Sequence, residues 1–375
     1  MITPLADLHR RAGAALEEFG GWTIPSVFTD LIEEYNAVRQ RVGLLDLSCR
    51  GRIQVSGKER VRYLQSLLSN DVARLAPGSG CVATLLTNKG RMISFLRVLN
   101  MGESFLLDVE PAAMPKTFDT LMGYRLSLRV QIEDVTAATA VLSLQGQYAW
   151  VVIRALAASE LDPLDRELDH REILIAVESA EAPNAPRLIP VRLVRASHTG
   201  EEGYDLIAGV SFAPLLWQMI LQRGEDYGLK RVGWSALNLL RVEAAIPWYG
   251  VDLDETTIPL EAGLDNAVSF GKGCYVGQET IVKIAHRGHV NRRLVGLVVK
   301  GESVPEAGAR IFVGGSDVGR MTSAVFSPML ASVIALGYVK RELSSPGTAV
   351  TIRTSRGDVE AEIVPLPFLS PPGAG

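Results

Sequence analysis

Apolar and polar positions change their period several times along the chain, and each change marks an element. Leu5, Leu8, Ala12, Leu16 and Phe19 recur at three- and four-residue spacing, which predicts helical structure across residues 1–50. Asp30 stands where an N-cap would open a further helix. Residues 51–57, GRIQVSG, alternate as a strand, and 60–68 carry the stripe of a short amphipathic helix. Two strands at 82–86 and 92–99 flank a turn at Asn88-Lys89-Gly90, and 104–109 reads as a third. Apolar runs at 137–144 and 149–153 predict buried strands, while 177–189, rich in Ala, Pro and Glu, reads as a connector. Strands at 190–197 and 203–208 pair around a turn at 198–202, and helices follow at 212–223 and 235–245. From Leu294 onward the pattern is β throughout. Short runs at 294–299, 310–313, 332–339, 348–353 and 358–364, separated by Gly and Pro turns, predict a small all-β domain. The final PPGAG is expected to be disordered. The fold class is therefore α+β, with an all-β C-terminal unit and no internal repeat.

Length adds domain number: 375 residues exceed one ordinary core, so two or three domains are expected. With 47% apolar and 21% charged residues the chain has a globular balance. No apolar run reaches the roughly 18 residues of a membrane span. The longest, at 329–339, suits a buried strand, and MITPLADLHRRAG lacks the apolar centre of a secretory signal. Three cysteines, odd in number and far apart, argue against a disulfide framework and for a reducing, cytoplasmic location. A formal charge of −4 does not point to a dedicated nucleic-acid binder, and direct nucleic-acid binding is not expected. Charge is uneven, however. Lys283, Arg287, Arg292, Arg293 and Lys300, with His286 and His289, fall in a stretch without a single acid. Such a strip is either a solvated face or a holder for a polyanionic ligand tail or an RNA segment.

Candidate chemistry concentrates in two stretches. In GKGCYVGQET (271–280), Gly271 and Gly273 open the backbone around Cys274, and Lys272 stands close enough to favour a thiolate. Gln278 and Glu279 can fix this loop by pairing with Lys272 or Lys283. Two readings stand: a reactive or transiently ligating thiol, or a rigid interdomain turn in which Tyr275 packs and Cys274 fills space. One cysteine cannot hold an iron–sulfur cluster, so no metal site is expected. The spacing of Gly271, Gly273 and Gly277 does not fit a dinucleotide-binding fingerprint. The second stretch, RASHTGEEGYD (195–205), is either a polar hairpin turn or the seat of a functional carboxylate at Glu201.

Several segments, taken in order, resemble the glycine-cleavage T-protein superfamily of tetrahydrofolate-dependent aminomethyltransferases. They are TPLADLHRRAG…FGGW, YNAVRQRVGLLDLS, YLQSLLSNDV, LRVEAAIPWYG and MTSAVFSP. Within it, GKGCYVGQE resembles the Lys-Gly-Cys-Tyr-x-Gly-Gln-Glu signature of the YgfZ family, folate-binding relatives implicated in maintaining iron–sulfur enzymes. The resemblance implies a three-domain fold, two α+β domains around a central cavity and a C-terminal β-barrel. The boundaries it implies are 1–50 with 137–240, 51–136 with 241–285, and 286–375. It implies tetrahydrofolate or a derivative as cofactor. Glu201 would then clasp the pterin edge on the turn at Gly200, with Arg195 in support and His198 in place of a tyrosine. The signature residues Lys272, Gly273, Cys274, Tyr275, Gly277, Gln278 and Glu279 would carry the branch-specific role, with Cys274 as a reactive thiol.

Three positions depart from the T-protein pattern: Ser94-Phe95 for two carboxylates, Cys49-Arg50 for His-Met, and Leu237 for an arginine. The expected function is therefore a folate-binding accessory protein for iron–sulfur cluster assembly or repair, supporting tRNA-modifying and other cluster enzymes. Its partners would be reduced folate and iron–sulfur proteins or cluster-assembly factors. The alternative is a folate-dependent aminomethyltransferase or demethylase.

Overall fold

The computed structural model describes residues 1–126, 128–179 and 182–369. The PPGAG tail therefore lies outside the described residues, as do residues 180–181 of the expected connector. The chain forms two compact units. The first comprises Met1–Tyr63, Ala73–Cys81 and Leu96–Leu237; the second comprises Leu64–Val72, Val82–Phe95 and Asn238–Gly375.

The first unit is built on a six-stranded sheet. Its order is His170–Ser179, Ala182–Arg195, Gly203–Gly209, Thr139–Gln145, Gly43–Asp46 and Lys230–Arg231. Pairing is antiparallel except for the parallel last pair. Helices Ala149–Leu156 and Ala213–Gly224 cover the sheet, and Val152, Ile153, Leu216, Trp217 and Ile220 join its strands in one core. Each such side chain contributes about 1.5–3 kcal/mol by leaving water. Residues 149–153 are thus helical and not the expected strand. Ala149, Val152, Ile153 and Leu156 are buried at i, i+3, i+4 and i+7, a helical stripe that a short apolar run conceals.

The N-terminal expectation also changes. Helix stops at Ala6–Arg11, and Ala15–Phe19 pairs antiparallel with Trp22–Val27. Gly20 and Gly21 turn this hairpin with φ of +54° and +81°, a left-handed conformation in which a Cβ is strained. The expected helix at Asp30 forms as Leu31–Gln40, and Asp30 Oδ1 accepts from the Ile32 and Glu33 amides at 2.9 and 3.1 Å. The expected connector is largely the hairpin of strands His170–Ser179 and Ala182–Arg195. A second, five-stranded sheet has the order Gly80–Leu86, Met92–Asn100, Ser104–Val109, Gly51–Ser56, Gln131–Asp134, and the residues of its first two strands are divided between the units.

In the second unit, six antiparallel strands close into a barrel in the order Arg292–Val299, Ser332–Lys340, Ser316–Ser327, Arg310–Val313, Ala349–Thr354, Gly357–Val364. Leu297, Ile311, Met321, Val333 and Ile352 fill it. Strand Ser332–Lys340 also buries its other face, where Ile334 and Leu336 meet Val242. Burial on both faces explains why this strand lies in the longest apolar run of the sequence. Strand Ser316–Ser327 was not expected; its polar and glycine positions mask the alternation. The chain is therefore α+β with a C-terminal closed all-β barrel, the architecture expected from sequence.

Candidate functional site

The turn joining Ala182–Arg195 to Gly203–Gly209 is held by side chains on all sides. Arg195 opposes Tyr204 as the last strand pair, and Gly200 completes the bend at φ +83°. Gln145, fully buried on the neighbouring strand, accepts from the His198 amide at 3.0 Å and the Thr199 hydroxyl at 3.2 Å. Its Nε2 donates to Ala196 O at 2.9 Å. Ser197 Oγ donates to Glu201 O at 2.7 Å. This cradle fixes Glu201, which is 7% exposed. Its Oε1 accepts from Arg39 Nη1 at 2.6 Å, and its Oε2 accepts from no described residue. Arg39 extends from helix Leu31–Gln40. The product is a buried carboxylate with one oxygen pinned and one open, a preorganised acceptor for a ligand N–H group.

His198, the residue in place of a tyrosine, is enclosed and offers no open ring face. It is 5% exposed, and both ring nitrogens are engaged. Nε2 lies 3.0 Å from Asp205 Oδ2 and 3.0 Å from Arg97 Nη1, and Nδ1 lies 3.4 Å from Arg97 Nη2. Arg97 Nη2 also donates to Ser197 O at 3.1 Å. Burial and the Arg97 guanidinium hold His198 below its ordinary pKa. Burial opposes the Asp205 charge, but His198 and Arg97 outweigh it and hold the carboxyl below the usual range. The network extends through Asp108 to Arg50, which donates to Asp108 Oδ1 at 2.8 Å and to Glu110. The Cys49-Arg50 departure thus brings in a cation that has its own acids. Cys49 beside it is buried, and burial pushes its thiol up. Arg195 takes no part in this cluster. Its Nη1 donates to Leu164 O at 2.6 Å, which ties the sheet to the 164–165 loop.

Strand Met92–Asn100 clarifies the first departure. Its pleat puts Phe95 and Arg97 on one face and Ser94 on the other. Ser94 is fully buried, and its Oγ has no partner. Arg97 is therefore the polar side chain that shares a strand face with Phe95. Sequence reasoning missed Arg39, Arg97 and Gln145. Arg97 left a signal, a lone cation within the apolar run ISFLRVL.

The 271–280 stretch lies in the second unit. Lys272 is 7% exposed and donates through Nζ to Gln65 O, Leu68 O and Asn70 O at 2.8, 2.6 and 2.8 Å. These carbonyls lie at or just beyond the end of helix Arg60–Leu67, where intrahelical partners run out. Lys272 also stands 5.1 Å from the Tyr275 ring centre. The ammonium expected to activate Cys274 is thus committed to backbone carbonyls, while Cys274 itself is exposed. Burial pushes the Tyr275 phenol up to about 12. Gly277 opens helix Gln278–Arg287 at φ +84°, and a Cβ there would stand 2.6 Å from Thr87 O. Glu279 occupies the first helical turn, where its charge suits the helix dipole, and forms no ion pair among the described residues. Lys272→Met is expected to cost about 2–4 kcal/mol, since hydrogen bonds to a charged group contribute about 1.5–3 each and the carbonyls lose their donor. Cys274→Ser should stay within about 0.5 kcal/mol. Urea unfolding of both variants checks this, and a loss below about 1 kcal/mol for Lys272→Met would refute the capping role. Among the described residues no group of three His, Cys, Asp or Glu side chains is placed to hold a metal ion. No helix there is long and apolar enough to cross a membrane.

Comparison with known proteins decides the family. The GCVT N-terminal domain model matches residues 5–272, and the glycine cleavage T-protein C-terminal barrel domain model matches residues 292–369. The chain belongs to the glycine-cleavage T-protein family. It is 33% identical over 368 residues to an aminomethyltransferase from Halothermothrix orenii, covering 98% of this chain and 99% of that protein. It is 36% identical over 368 residues to one from Geobacillus thermodenitrificans, covering 98% and 97%. Its structure is similar to the glycine cleavage system aminomethyltransferase T from Bartonella henselae, with a TM-score of 0.87, 25% identity, and coverage of 99% and 98%. These full-length relatives are named aminomethyltransferases and not YgfZ proteins, which overturns the expected branch. The accessory role in iron–sulfur cluster assembly, with its cluster partners and its tie to tRNA modification, falls with it.

Proposed function

We propose that this T-protein family member is a folate-dependent aminomethyltransferase or demethylase of the glycine-cleavage type, with tetrahydrofolate as its co-substrate. The observation that carries this reading is the Glu201 carboxylate, fixed by Arg39 with one oxygen left open. The full-length aminomethyltransferase relatives support it. Glu201 Oε2 would accept from the pterin edge, with Arg39 setting the carboxylate's direction. Oε1, though bonded to Arg39, retains acceptor capacity, since a carboxylate offers about four lone-pair sites. The Gln145 and Ser197 bonds hold the turn, and Arg97, His198 and Asp205 buttress it from behind. Tetrahydrofolate supplies the amine that receives the one-carbon unit. Residues 94 and 95 offer neither a carboxylate nor an open hydroxyl, so proton transfer at that amine rests on another group. Leu237, 2% exposed, is packed in the core where the family pattern places an arginine.

Titration of the protein with tetrahydrofolate is expected to give saturable binding in the range of about 1 μM to 1 mM, where enzymes usually meet their substrates. Incubation with aminomethylated carrier protein or an N-methyl amino acid should then convert tetrahydrofolate to its one-carbon derivative, followed by absorbance. No saturable folate binding would overturn the reading.

A further inference from the structure

With residues 94 and 95 unfit for proton transfer, the neighbouring strand supplies two carboxylates. Leu96, next in the chain after Phe95, pairs with Val109, and Arg97 pairs with Asp108. Alternation along the chain puts Asp108 and Glu110 on one side, and both meet the same guanidinium. Arg50 Nε donates to Asp108 Oδ1 at 2.8 Å, and Arg50 Nη1 donates to Glu110 Oε1. The two acids differ in what they leave free. Glu110 Oε2 is sealed in the interior without a partner. Asp108 Oδ2 stands 3.8 Å from Arg97 Nη1 and accepts no hydrogen bond from a described residue, but its side chain keeps 11% of its surface exposed. Of the pair, only Asp108 offers an oxygen that a ligand reaches.

The cations around Asp108 are otherwise engaged. Arg52, its partner on strand Gly51–Ser56, donates to the carbonyls of Ser48, Arg50, Thr136 and Thr139. Arg97 lies 3.6 Å from Asp205 and donates to Ser197 O at 3.1 Å, and Ser197 Oγ donates to Glu201 O at 2.7 Å. Asp108 is thus linked to the Glu201 turn through Arg97 and Ser197, all within the first unit.

We infer that Asp108 is the proton acceptor at the folate amine, a role that rests on the transferase reading above. The amine lone pair forms the new C–N bond as the carbon's bond to its leaving group breaks with its electron pair. The nitrogen turns positive as it attacks, and an anion already fixed by Arg50 stabilises that charge without rearrangement. The displaced proton passes to Asp108 Oδ2 and from there to the leaving group, and nothing is oxidised or reduced.

The test is Asp108→Asn, assayed with tetrahydrofolate and aminomethylated carrier protein. Its kcat is expected to fall by at least about 100-fold, the lower end for losing a general base. Tetrahydrofolate should bind within about threefold of wild type, because the lost interaction belongs to the transition state. The melting temperature should hold, since Arg50 keeps Glu110 and Arg97 keeps Asp205. Asp108→Glu retains a carboxylate one methylene further out and should turn over at least about tenfold faster than Asp108→Asn. A folded Asp108→Asn with kcat within about threefold of wild type would overturn the assignment, as would a loss confined to folate affinity. Should Asp108→Asn not fold, Asp108→Ala with added formate carries the test: a rate that formate does not raise would overturn the role. Wild type that binds tetrahydrofolate but transfers nothing would also end it, while leaving the Glu201 contact standing; an active wild type indifferent to Asp108 would sink this role alone.

Discussion

Arg241→Met is expected to lower the unfolding free energy of the second unit by about 3–5 kcal/mol, the usual result of stripping one partner from a buried ion pair. Arg241 is 1% exposed and Asp252 2%. The guanidinium donates to Asp252 Oδ2, to Ser323 Oγ at 2.7 Å and to Asn238 Oδ1 at 2.9 Å, and lies 4.5 Å from the Trp248 ring centre. Asp252 Oδ1 accepts from Thr322 and Ser323 at 2.6 and 2.7 Å, and its Oδ2 also accepts from the Trp248 amide at 3.0 Å. Methionine fills much of the volume but leaves the carboxylate charged, buried and without a counter-ion. Urea unfolding followed by tryptophan fluorescence measures the loss. A second substitution, Asp252→Asn, should recover part of it, because the uncompensated charge is then gone. A drop below about 1 kcal/mol for Arg241→Met would mean that the hydroxyls and amide alone satisfy Asp252.

Glu201→Gln is expected to weaken tetrahydrofolate binding by about 30-fold or more, equivalent to about 2 kcal/mol, the lower end for losing one member of a buried charged contact. The side-chain volume is kept, and Ser197 and Gln145 still hold the turn. Only the charge and one acceptor are lost. The variant also takes one anionic contact from buried Arg39, so a melting curve must accompany the titration. Glu201→Asp, which retains the charge but withdraws it by one methylene, should fall between the two. Unchanged affinity in a folded Glu201→Gln variant would remove Glu201 from the site.

Family and architecture were readable because they are distributed. Segments spread from residue 3 to residue 328 recur in family order, and the β-rich C-terminal pattern is independent of them. The branch was misread because its signal was local. Gly277 is required by a left-handed turn against Thr87, and Lys272 by a helix end without donors. Any chain making that bend gains from the same residues, whatever its chemistry. Within the candidate site, Glu201 and Gly200 lie in one contiguous stretch and were legible there as candidates. Arg39, 162 positions away from Glu201, was not, since spacing along the chain carries no record of which helix end meets which turn. His198 lies in the same stretch, but the sequence does not show that it is enclosed. Its burial depends on Arg97 and Asp205, which reach it from two different strands. The strand expected at 149–153 failed for a different reason: five apolar positions fit a buried strand and a buried helix equally well.

The division of the chain also sets the order in which it becomes a protein. The first unit draws on three separate segments and ends at Leu237, so its N-terminal portion emerges from the ribosome long before its partners exist. The barrel strands, by contrast, occupy one uninterrupted stretch from Arg292 to Val364. During synthesis the early segments must wait, exposed to chaperones and proteases, whereas the barrel can close as soon as its last strand is released. A premature stop anywhere before residue 237 would thus yield no finished unit at all.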